Sequence, residues 1–199
     1  MTPSNDPIRA ALSEAADALN ALASDQACLT AIEQFRDLIL NTLRSDGKLM
    51  SCGNGGSMCD AMHFAEEWTG RFRAERAAQP ALSFSDPSHL SCIANDFGYA
   101  EVFARQVAAH GKENDILLAI STSGESANIL RALEEARARG VHTVGLLGNG
   151  GGSALALCDI GIVVPHAKSP ERIQELHIKV IHLVVEAVER CLFPENYSE

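Results

Sequence analysis

The chain has 199 residues, 46% of them hydrophobic, which suffices for one sizeable core at the usual domain size of roughly 100 to 200 residues. With 26 acidic against 16 basic residues, its formal charge of −10 repels phosphodiester backbones and excludes nucleic acid as an expected partner. A small phosphorylated metabolite stays open, because backbone N–H groups and a helix N-terminus hold a phosphate without any net positive charge.

From Ile8 to Leu43 the apolar residues Leu12, Leu19, Leu22, Leu29, Ile32, Phe35, Ile39 and Leu43 recur at helical spacing, predicting two helices broken near Ser24 and Asp25. Lys48 to Cys52 reads as a short strand, Gly53 to Ser57 as a glycine loop, and Ser57 to Trp68 as a helix. Pro80 to Phe84 predicts a second strand and Glu101 to Ala109 a further helix. Asp115 to Ser121 is a nearly continuous apolar run, broken by TSGES and followed by an amphipathic helix from Ala127 to Arg139, with Gly140 placed to end it. Val141 to Leu147 and Asp159 to Val164 repeat the strand pattern. Ser169, Pro170 and Glu171 then supply an N-cap, a first-turn proline and an acidic first turn for a long helix reaching about Cys191.

Buried strands alternating with helices predict a three-layer α/β/α sandwich around a parallel sheet, within a single domain spanning residues 1–199. No repeat array, low-complexity segment or linker interrupts it. The six cysteines form no C-x-x-C pair, which argues against a zinc ribbon and for free thiols in a reducing cytoplasm. The N-terminus lacks the layout of a signal peptide, and no stretch of about 18 apolar residues occurs; a soluble, unprocessed protein is expected.

Ligands of such sheets bind beyond the carboxyl ends of the strands. Ser121, Thr122, Ser123, Gly124 and Ser126 lie where a buried strand feeds a helix, and their hydroxyls beside a helix N-terminus suggest an anion site. No P-loop lysine accompanies them. In Gly53 to Ser57, Gly55 and Gly56 would let backbone approach a ligand closely. A second glycine stretch, Gly148 to Ser153, leads into SALALC, without carboxylate, histidine or amide, and is expected only to turn the chain.

On the helix after the first glycine loop, His63 and Glu67 share one face at metal-ligand or acid/base spacing, with Glu66 close by. In the last helix Gln174, His177 and His182 interrupt an apolar run, and buried polar groups need partners. Gln174 and His182 lie about 80° apart around the helix and converge, whereas His177 points elsewhere. Together these groups suggest a metal-assisted acid/base site.

The stretches SCGNGGS with DAMHFAEE, NDFG at Asn95 to Gly98, ISTSGESAN at Ile120 to Asn128, and RIQELHIKVIH at Arg172 to His182 are identifiable at this point. Through them the chain resembles the sugar isomerase (SIS) domain family, and within it the bacterial phosphoheptose isomerase branch. The resemblance implies a five-stranded parallel sheet in flavodoxin-like order, preceded by two helices within residues 1–45 that belong to the core of a homotetramer whose sites draw on neighbouring subunits. It implies that Ser121, Thr122, Ser123 and Ser126 bind a substrate phosphate, and that Asn54, Gly55, Gly56, Asn95 and Asp96 line the sugar. His63, Glu67, Gln174 and His182 would match the ligands of one zinc ion per subunit; Glu67 and Gln174 would also touch substrate. Glu67 would be the catalytic base and His182 the acid in converting D-sedoheptulose 7-phosphate to D-glycero-D-manno-heptose 7-phosphate through an enediolate, toward ADP- or GDP-heptose for lipopolysaccharide core or capsule. Coordination lowers a carboxylate's basicity, so Glu67 would not be tight ligand and base at one instant. Two alternatives stand beside this: a non-catalytic tetramer of the same family that binds a replication initiator, and a sugar-phosphate sensing domain. Retention of Gln174 and His182 weighs against the first, and the lack of a DNA-binding segment against the second.

Overall fold

The computed structural model describes residues 6–165 and 169–197. Two helices come first, α1 (Pro7–Ser24) and α2 (Gln26–Arg44). The break falls at the expected place because Asp25 is extended there, ending α1 and capping α2 with a carboxylate that accepts from the Cys28 amide. Asp6 caps α1 in the same way, ahead of Pro7 in the first turn.

Five strands follow: β1 (Leu49–Gly53), β2 (Ala81–Ser83), β3 (Ile116–Ser121), β4 (His142–Leu147) and β5 (Ile160–Val163). They form one parallel sheet in the order β2-β1-β3-β4-β5, with β1 paired to β3 from Leu49 opposite Ile116 to Gly53 opposite Ile120. The expected flavodoxin-like order is therefore observed. β1 and β3 are buried along their whole length, which explains why their sequences are continuously apolar instead of alternating.

The pleat divides the core in two. Ile116, Leu118 and Ile120 face a layer made by α1, α2, α3 (Gly56–Thr69) and α7 (Pro170–Leu192). Leu117 and Ala119 face the opposite layer, made by α4 (Pro87–Phe97), α5 (Ala104–His110) and α6 (Ala127–Ala138). Near the amino ends of the strands, the buried carboxylate of Asp115 accepts from the amides of Lys48 and Lys112 and pairs with the Lys48 ammonium, tying β1 to β3.

Two elements depart from expectation. α4 was not predicted, although Asp86 caps it through the His89 amide and Pro87 occupies its first turn. The helix expected from Glu101 to Ala109 is a short 3-10 turn, Tyr99–Glu101, followed by α5. Gly140, just past α6, has φ +69°, the left-handed conformation expected of a helix-ending glycine. Among the described residues no helix is long and apolar enough to cross a membrane.

Candidate active site

Strand order reverses between β1 and β3, since β1 is followed by the outer strand β2 while β3 leads to β4 and β5. Ligands of such sheets bind in the crevice at this switch point, which falls here between the loops leaving β1 and β3. Neither α3 nor α6, the helices these loops feed, receives a side-chain N-cap. Their positive ends are therefore available to an anion.

The two loops are tied across the crevice by side chains. Asn54 and Asn128 exchange reciprocal amide hydrogen bonds of 2.9 and 2.8 Å, and the Tyr99 hydroxyl donates to the same Asn54 oxygen at 3.0 Å. Asn128 and Tyr99 were not singled out from the sequence; an amide in the buried first turn of α6 was the available signal. Asn95 and Asp96 lie exposed on the last turn of α4, bonded to one another, and Tyr99 is the residue that links their turn to the first glycine loop.

The serine loop is held from within and from behind. Ser121 accepts from the Gly124 amide at 3.0 Å and Ser123 from the Glu125 amide at 3.2 Å. Behind it stands the second glycine stretch, which does more than turn the chain as expected. The Glu125 carboxylate accepts from the Ser153 amide and hydroxyl at 2.7 and 2.8 Å, and the Ala154 amide donates to the Gly124 carbonyl at 2.9 Å. A Cβ on Gly124 would come within 2.0 Å of the Gly151 carbonyl oxygen. Gly150, Gly151 and Gly152 all have positive φ, so this brace needs glycines that a sequence pattern alone reads as a turn.

The groups able to do chemistry line a groove between α3 and α7. Gly56, Asp60, His63 and Glu67 form one stripe along α3. His63 Nε2 lies 2.9 Å from Glu67 Oε1, His182 Nε2 lies 3.3 Å from His63 Nε2, and His182 Nε2 lies 3.8 Å from Glu67 Oε1. Glu66 is more distant, 3.8 Å from His63, and largely exposed. Gln174 enters the same groove nearer its loop end, where its amide occupies the space that a Cβ on Gly56 would need, 2.5 Å away. His177 is fully buried on another face of α7, as expected, but neither ring nitrogen is hydrogen-bonded, against the expectation that a buried polar group finds a partner.

Asp60 was missed in the sequence reading, though its place one turn before His63 could have shown it. Its Oδ2 is buried without a partner, and burial pushes its carboxyl up to about 6 against the opposing effect of His63. The His182 imidazole is shifted below its ordinary value by burial first and by His63 and Lys179, with Glu67 opposing. A neutral imidazole at neutral pH is the form that ligates a metal.

His63, Glu67 and His182 offer ligand atoms within 4.8 Å of one another. Tetrahedral zinc, with ligand bonds near 2.0 to 2.1 Å, needs ligand atoms about 3.3 Å apart. The three observed separations bracket that value, and two imidazoles with one carboxylate are a donor set that zinc accepts.

A parallel five-stranded sheet with a serine-rich loop at its switch point and a His-Glu-His cluster beside it is an SIS domain, and the SIS domain family model matches residues 12–148. The chain is 53% identical over 185 residues to the phosphoheptose isomerase of Edwardsiella ictaluri, covering 93% of this chain and 96% of that relative. Among solved structures, the phosphoheptose isomerase of Francisella tularensis matches with TM-score 0.88 and 34% identity, over 96% of this chain and 100% of that one. That of Neisseria gonorrhoeae matches with TM-score 0.85 and 37% identity, over 92% and 96%. The chain belongs to the SIS domain family, in its phosphoheptose isomerase branch.

Proposed function

We propose that the protein interconverts D-sedoheptulose 7-phosphate and D-glycero-D-manno-heptose 7-phosphate, the first step toward a nucleotide-activated heptose for cell-surface polysaccharide. The observation that carries this reading is the convergence of Glu67 and His182 in one groove whose loop end adjoins the serine loop.

In this reading Ser121, Thr122, Ser123 and Ser126, with the N-terminus of α6, hold the phosphate. Asn54, Gly55, Gly56, Asn95, Asp96 and Gln174 contact the sugar. Glu67 removes the proton from the carbon beside the ketone, while His182, in its imidazolium form and so not holding the metal at that instant, donates a proton to the developing oxyanion, giving a neutral enediol. Glu67 then gives its proton to the neighbouring carbon while His182 takes the proton of the terminal hydroxyl, which completes the aldose and returns both groups to their starting forms. His63, Glu67 and His182, with Gln174 at the loop end of the groove, would hold one zinc ion, which would supply Lewis-acid stabilisation of the charge on the carbonyl oxygen.

A homotetramer in the cytoplasm completes the proposal. It is supported by apolar side chains left exposed at Ile8, Leu12 and Leu19 on α1, and at Met62 and Leu183 beside the cluster. These are surfaces that neighbouring copies would cover, with α1 and α2 in the shared core. The binding-only alternative is disfavoured because it gives the assembled His63, Glu67 and His182 no task.

Incubating the zinc-loaded protein with sedoheptulose 7-phosphate and following aldose formation tests the activity. Turnover is expected, and its absence would reject the reading. Light scattering on the same sample tests the tetramer.

A further inference from the structure

We propose that Arg76, in the loop after α3, is a positioning residue that sets the reach of Glu67 toward His182; this rests on the reading that those two residues carry the proton transfers. The Arg76 side chain is 1% exposed and that of its partner Glu189 is fully buried. Its Nε donates to Glu189 Oε1 at 2.7 Å, Nη1 donates to the carbonyls of Trp68 and Gly70 at 2.7 and 2.8 Å, and Nη2 donates to the carbonyl of Glu67 itself.

The last carbonyls of a helix have no partner within it. Here one guanidinium satisfies the end of α3 and bonds to the backbone of the residue that bears the base. Glu189, its other partner, stands seven residues after His182, two turns along α7 and on the same face. The second Glu189 oxygen accepts from the Tyr197 hydroxyl at 3.0 Å, so the carboxylate is fixed from both sides. Arg76 thus connects the Glu67 backbone to the helix that carries His182.

A buried ion pair by itself is weak evidence of stabilisation, since desolvating both charges offsets much of their attraction. What this pair supplies is geometry: a planar fork with five donors in fixed directions, which a lysine ammonium does not reproduce. Reacting groups displaced by about 1 Å lose up to about 100-fold in rate. Supports beyond the ligands themselves commonly change metal affinity about 10- to 100-fold.

The test compares Arg76→Lys and Arg76→Met with the parent protein, after circular dichroism has established that each variant folds. Aldose formation supplies kcat and KM, and titration of the metal-free protein with Co(II), followed by its visible absorption, supplies metal affinity. The expected result is a fall of about tenfold or more in kcat or in Co(II) affinity, with KM within about twofold. Folded variants with kcat and Co(II) affinity both within about twofold overturn the proposal, as does a rise in KM alone. If neither Arg76 variant folds, Glu189→Gln takes their place with the same readouts and criteria. Should the parent protein not turn over the heptulose phosphate, the functional reading fails, while Co(II) affinity still decides the role of Arg76.

Discussion

His63 and His182 are 119 residues apart in the chain, yet their Nε2 atoms lie 3.3 Å from each other and their rings meet edge to face. α3 leaves the sheet after β1 and α7 after β5, at opposite sides of the β3–β4 centre. They meet because both cover the same face of the sheet, where α7 packs against both α2 and α3. The cluster therefore exists only once the sheet is assembled.

Replacing Glu67 by Gln keeps the shape of the side chain and a polar contact with His63 but removes the base. Steady-state kinetics with sedoheptulose 7-phosphate should show kcat lowered about 100-fold or more, with a smaller change in KM. A rate near that of the parent protein would reject Glu67 as the base.

Metal dependence follows from the cluster's spacing. Dialysis against a strong chelator should abolish turnover, and added Zn2+ should restore it. His63→Ala should weaken zinc binding about 100-fold or more by isothermal titration calorimetry, exceeding what loss of a supporting residue costs. Its far-UV circular dichroism should match the parent, because His63 is half-buried in a groove outside the apolar core.

The brace behind the serine loop makes Gly124 sensitive. Gly124 has φ +67° and faces the Gly151 carbonyl, so Gly124→Ala combines a strained conformation with a backbone collision. It should raise KM for the sugar phosphate about tenfold or more, in line with loss of one to two charge-assisted hydrogen bonds at roughly 1.5 to 3 kcal/mol each. Gly98 also has positive φ, at +89°, but nothing lies within 4 Å of its would-be Cβ. With ψ 156° it lies in a region of backbone space that is essentially glycine-only, so Gly98→Ala should cost about 1 to 3 kcal/mol of conformational strain in a denaturation experiment.

His177 should give stability a pH dependence. Burial pushes its imidazole down to about 4, with the Leu147 carbonyl opposing weakly and completing no ordinary hydrogen bond. The unfolded chain takes up this proton near pH 6.5 and the native protein only near 4, so the contribution is whole above pH 6.5 and is lost as pH falls toward 4. The loss is on the order of 3 kcal/mol. Urea denaturation of His177→Leu should show a shallower decline over that window than the parent protein. Asp60, raised to about 6, contributes with the opposite sign in both proteins, and the comparison between them removes it.

The elements built from strong local signals were legible before folding. Continuous apolar runs marked β1 and β3, Asp25 marked the break between α1 and α2, and Ser169 with Pro170 marked the start of α7. α4 escaped notice because it is short and most of it is exposed, with a single capping aspartate and a proline marking its start. The spacing of His63 and Glu67 was legible for the same reason as the helices, since four residues on one helix fix a shared face.

Other relationships span the chain. The hydrogen bonds from Tyr99 and Asn128 to Asn54, the support of the serine loop by Ser153 and Ala154, and the hold of Arg76 on Glu67 all join segments that no local period connects. By itself, the sequence determined the strands and every long helix but α4, the loops at the strands' carboxyl ends, and the residue types available for acid, base and metal chemistry, because these depend on neighbours within about one to two turns. That His63 and Glu67 meet His182 was implied only by the family resemblance and took the tertiary structure to show, and the tertiary structure alone decided that the second glycine stretch serves the first site. Parallel pairing sets strand order through crossover connections, and that order, which no local pattern encodes, places α3 beside α7.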